Sequence, residues 1–78
     1  MGKIDSVTVR CWIKFLEYKG CNYKSTEASH EKWRCPNCVR SIIFRGAEKE
    51  IPFFHIASNL KSMGVSKEEF KEWLNKNC

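Results

Sequence analysis

The sequence holds no apolar run near the ~18 residues of a membrane span, and its opening "MGKIDSVTVR" lacks the apolar core of a signal peptide. Neither a membrane-spanning nor a secreted chain is expected, and the cytoplasm is the default location. There is no internal repeat and no low-complexity segment. Cys35-Pro36-Asn37-Cys38 has no second Cys-x-x-Cys to complete a four-cysteine zinc site. The cysteines number five, an odd count. Without a secretory segment that count argues against a disulfide framework, so most are expected to be free thiols.

Negative charge is scarce in the first part of the chain. Residues 1–45 carry nine Lys/Arg against four Asp/Glu, whereas residues 46–78 carry five against five. The whole net charge of +5 therefore sits in the first part. A localised basic excess favours a polyanionic partner, with affinity that falls as salt rises. Hydrophobic residues make up 42% and aromatics 13%, so the chain is globular rather than disordered. At 78 residues it is one domain over 1–78, with its core at about 7–74. A chain of this length buries roughly 60–65% of its unfolded surface, enough for a modest core.

Asp5, Ser6 and Thr8 offer helix N-caps. Val9, Trp12, Ile13 and Leu16 repeat at helical spacing, and Gly20 stands where a helix ends, so a helix over 8–19 is predicted. "CNYKST", "SHEKWRC" and "VRSIIF" then read as three short strands, separated by "EA" and by "PN", in an antiparallel meander. "RGAEKEIP" reads as a loop. Pro52 opens a helix carried by Phe53, Ile56, Leu60 and Met63, and Gly64 ends it. Ser66 with Glu69 forms a capping box for a last helix whose apolar face is Phe70, Trp73 and Leu74. The order is α-β-β-β-α-α, an α+β domain with a three-stranded antiparallel sheet packed on helices. The other sheet face stays in water.

Alternation assigns sides on the second strand. Trp33 needs a core, and it shares a face with Glu31 and Cys35. His30, Lys32 and Arg34 then face solvent together, where Lys24, Arg40 and Arg45 can join them. A histidine among cations suits RNA cleavage. Imidazole can exchange protons near neutral pH, and Lys and Arg can bind phosphate and stabilise charge in the transition state. The plain alternative is that His30 is a surface strand residue. His55, at the start of the second predicted helix, could reach the sheet as a second acid–base or a phosphate contact, but a half-buried, hydrogen-bonded histidine is the commoner case there, and it is not counted as catalytic. Trp12, Trp33 and Trp73 fall at core positions by periodicity. The Cys35/Cys38 pair has the spacing of half a zinc knuckle, but a hairpin turn with two incidental thiols is the simpler reading. A redox role ranks lower, because the pair links strands rather than opening a helix.

Several pieces in order resemble the HicA family, the mRNA-cleaving toxins of HicAB toxin–antitoxin systems. These are "IKFLEYKG" at 13–20, Ala28-Ser29-His30 opening the second strand, and "EKEIPFFHIASNLKSMGVSKEEF" at 48–70. The resemblance covers about Val7 to Leu74. It implies a double-stranded-RNA-binding-domain-like α-β-β-β-α fold with an extra short C-terminal helix. It implies a metal-independent endoribonuclease with no cofactor, in which His30 is the catalytic residue. Lys24, Ser29, Lys32, Arg34, Arg40 and Arg45 would contact the RNA, with mRNA as substrate and a HicB-like antitoxin as partner. Ala28 stands where the family motif has glycine, which takes φ > 0 in a tight turn at little cost. The turn is therefore expected to differ in shape, or Ala28 to take ordinary angles. Two alternatives stay open: a non-catalytic RNA-binding module of the same fold, and a zinc-stabilised interaction domain using Cys35/Cys38.

Overall fold

The computed structural model describes residues 5–78. The elements are β1 (Ser6–Thr8), α1 (Val9–Tyr18), β2 (Asn22–Glu27), β3 (His30–Arg34), β4 (Ile42–Arg45), β5 (Glu50–Pro52), α2 (Phe53–Met63) and α3 (Lys67–Asn77). The described residues form a small α+β domain with the antiparallel β2-β3-β4 meander and three helices.

Thr8 is the N-cap of α1; its hydroxyl accepts from the Cys11 backbone N–H at 3.2 Å. The buried side of α1 is Trp12, Phe15 and Leu16, with Val9 and Ile13 partly buried. The chain turns off the helix at Gly20, whose φ of 81° suits a residue without Cβ. There the Cys21 N–H returns to the Leu16 carbonyl at 2.9 Å. The inner face of the meander comes from β3 and β4, through Trp33, Ile42 and Phe44. Phe44 meets Trp12 edge-on at 6.4 Å between centroids. The polar strand β2 has no buried residue.

A second sheet appears within the segment expected to be a loop. β1 pairs antiparallel with β5, setting buried Val7 opposite buried Ile51. The ladder continues through Val9 N–H to the Lys49 carbonyl and Phe53 N–H to the Asp5 carbonyl. These strands are three residues each, too short for a readable alternation. The second and third strands also begin and end differently from the prediction. The tight turn lies at Ala28-Ser29 rather than at "EA", and β3 and β4 are joined by a longer loop over 35–41 rather than by "PN" alone. α2 flanks β4: Asn59 Nδ2 donates to the Ile43 carbonyl at 3.1 Å, and Val39 N–H donates to the Ser62 carbonyl at 3.0 Å.

α3 lies antiparallel to α1. Phe70 and Trp73 pack edge-on against Phe15 at 4.8 and 5.2 Å. Lys19, just past the end of α1, pairs with Glu69 at 3.0 Å. At the opposite end Lys14 Nζ donates to the Asn77 carbonyl, and Cys11 is bonded to Cys78. The capping box is half made. Ser66 Oγ accepts from the Glu69 N–H, but the Glu69 carboxylate reaches Lys19 instead of its own helix start.

The expectation of mostly free thiols is overturned. Cys11–Cys78 and Cys21–Cys35 are disulfides, and Cys38 is the free cysteine. The reason is tertiary. The Asn22↔Arg34 pairing makes Cys21 and Cys35 the next facing pair along the ladder, and the antiparallel helices bring Cys78 back to Cys11. No helix among the described residues is long and apolar enough to cross a membrane.

Candidate functional site

β2 and β3 meet in a two-residue turn, Ala28-Ser29, between the paired residues Glu27 and His30. Ala28 has a φ of 56°. Positive φ at the first of two turn residues is the pattern of a type II′ turn, the position where glycine is usual. Alanine thus takes the left-handed backbone, and the expectation of ordinary angles does not hold. The Ser29 carbonyl accepts from the Gly46 N–H at 3.0 Å, tying this turn to the end of β4.

The sides of β3 follow the alternation. Trp33 is buried, Glu31 is half-buried, and His30, Lys32 and Arg34 are exposed. The Trp33 indole N–H donates to Glu31 Oε1 at 3.1 Å, which fixes the inward-facing pair. Residues directly opposite on neighbouring strands share a face. His30 therefore lies between Glu27 on β2 and Arg45 on β4, and Lys32 lies between Ser25 and Ile43.

The predicted phosphate contacts separate along the sheet. Ser29, His30 and Arg45 gather at the turn end, and Lys32 stands one step further on the same face. Arg34, opposite Asn22, is four residues from His30, roughly 13 Å at the usual strand rise. Arg40 is exposed in the loop at that far end. Lys24 is exposed at a bulge, the extra residue between the Tyr23↔Trp33 and Ser25↔Lys32 pairs.

A groove of about 460 Å³ opens beside His30. The meander lines it with His30, Ile43 and Arg45, the following loop with Glu48, β5 with Glu50 and Ile51, and the first turn of α2 with His55. His55 is exposed, not half-buried, and its ring sits 4.4 Å from that of Phe54. Its place at the start of a helix beside the sheet allows the second acid–base alternative, but its position in this groove depends on how α2 meets β4. Arg45 is 3.8 Å from Glu48, with both side chains more than half exposed. Such a pair is worth little, so Arg45 can exchange Glu48 for a phosphate at small cost.

The predicted core tryptophans behave as packing: Trp12 and Trp33 are buried and Trp73 is partly buried. The Cys-x-x-Cys does not present two open thiolates. Cys35 is bonded to Cys21, and the buried Cys38 sulfur donates to the Cys35 carbonyl at 3.0 Å while lying 3.1 Å from the Cys35 N–H. Among the described residues, no three His, Cys, Asp or Glu side chains are grouped to hold a metal.

Comparison with known proteins finds no matching family model, no matching curated protein and no matching solved structure.

Proposed function

We propose that this chain is a metal-independent endoribonuclease of the HicA type, the toxin half of a toxin–antitoxin pair. The observation that carries the reading is the position of His30. It is exposed at a tight turn, lies beside Arg45 in the strand register, and opens onto a groove. The order of helices and strands supports a double-stranded-RNA-binding-domain-like fold. His30 transfers protons at the ribose 2′-oxygen. Arg45 and Lys32 bind and neutralise phosphate, Ser29 orients the substrate at the turn, and Lys24, Arg34 and Arg40 extend the contact along the strand. The products are a 2′,3′-cyclic phosphate (or 3′-phosphate) and a 5′-hydroxyl. The substrate is mRNA in the cytoplasm, and a HicB-like antitoxin covers the site.

The test is an RNA digest with wild type and His30→Ala, both in EDTA, with both folds checked by circular dichroism. Wild-type cleavage that survives the chelator and falls by about 10²–10⁴ in the folded variant is the expected result. Equal cleavage by both proteins would overturn it. RNA bound but never cut would favour a binding module instead.

A further inference from the structure

The groove holds a second imidazole. His30 belongs to the sheet and His55 to the first turn of α2, and both line the same space of about 460 Å³. In-line displacement at phosphorus puts the attacking 2′-oxygen and the departing 5′-oxygen on opposite sides of the phosphorus. One imidazole held in one place cannot serve both oxygens. Two imidazoles carried by separate elements can.

We propose that His55 is a second catalytic residue, the general acid that protonates the 5′-oxygen while His30 acts as the base. This rests on the ribonuclease reading given above. The 2′-O–H bond breaks and its proton passes to His30. The 2′-oxygen bonds to phosphorus, the P–O5′ bond breaks, and the proton on His55 goes to the departing oxygen. The products are the cyclic phosphate and a free 5′-hydroxyl, so atoms and charge balance without a co-reactant. Glu27 stands directly across the ladder from His30 on the same sheet face. Arg45 faces the same groove as the phosphate partner. Glu48 and Glu50 are the other ionisable residues lining it.

Leaving-group chemistry separates the two roles. His55→Ala and His30→Ala are compared with wild type on an oligoribonucleotide and on a ribonucleoside 3′-(p-nitrophenyl phosphate), whose leaving group needs no proton. His55→Ala should lose about 10²-fold or more on the oligonucleotide and stay within about tenfold of wild type on the activated ester. His30→Ala should fail on both. Wild type should show a bell-shaped pH–rate profile on RNA, and His55→Ala should lose the alkaline limb. His55→Ala that cuts RNA like wild type, or that loses equally on both substrates, would overturn the second-residue assignment while leaving the nuclease reading intact. Wild type that cleaves neither substrate would overturn both. His55 is exposed, so its replacement leaves the core untouched, and circular dichroism checks this.

Discussion

Ala28 holds a φ of 56°, where an L-residue with a Cβ carries a cost of about 1–2 kcal/mol. Glycine would remove that strain but would lose about 0.4–1 kcal/mol through a freer unfolded chain. Strain is the larger effect, so Ala28→Gly should stabilise the protein by about 0.5–1 kcal/mol. A higher urea midpoint at unchanged slope would verify this, and a lower midpoint would contradict the turn assignment. Gly46 poses the reverse problem. A Cβ there would run into the Glu31 carboxylate, which holds the Trp33 indole. Gly46→Ala should displace Glu31 and cost about 1 kcal/mol, roughly that of one hydrogen bond. Denaturation monitored by tryptophan fluorescence reads both the loss and the changed indole environment.

At the scale of the element, α3 depends on one residue. Phe70 is fully buried and touches Trp12 and Phe15 edge-on. The remaining apolar residues of that helix, Trp73 and Leu74, are only partly buried. Phe70→Ala should cost about 3–5 kcal/mol, against about 1 kcal/mol for the cap variant Ser66→Ala. Thermal melts of the two variants test that order. Local pattern made α1 legible, as it did the inward Trp33 and the outward His30, because periods of 3.6 and 2 reflect burial directly. The β1–β5 pair was not legible. Its three-residue strands lie about forty positions apart and are recognisable only once folded. The Cys21–Cys35 pairing needed the strand register, and the position of His55 needed the docking of α2. The groove is thus the part of the site that local reasoning could not reach.

The whole molecule is closed by two nested covalent loops, spanning 14 and 67 residues. On the chain-entropy account these contribute about 3 and 4 kcal/mol, comparable to the entire stability of about 4–12 kcal/mol usual for this length. Reduction should therefore lower the melting temperature steeply, with Cys78→Ser costing more than Cys21→Ser. Thiol titration in denaturant should find one group per chain before reduction, from Cys38, and five after. A count of five without reductant would refute both pairings. The outer loop also has a mechanical meaning. A protein-unfolding motor that grips the C-terminus pulls on Cys78, and the tension passes through sulfur to Cys11 and on toward β1, leaving the β2-β3-β4 meander off the load path while the β1–β5 pair bears it. About 230 Å of chain, at ~3.5 Å per residue, stays hidden from an extending force until the Cys11–Cys78 bond is cut.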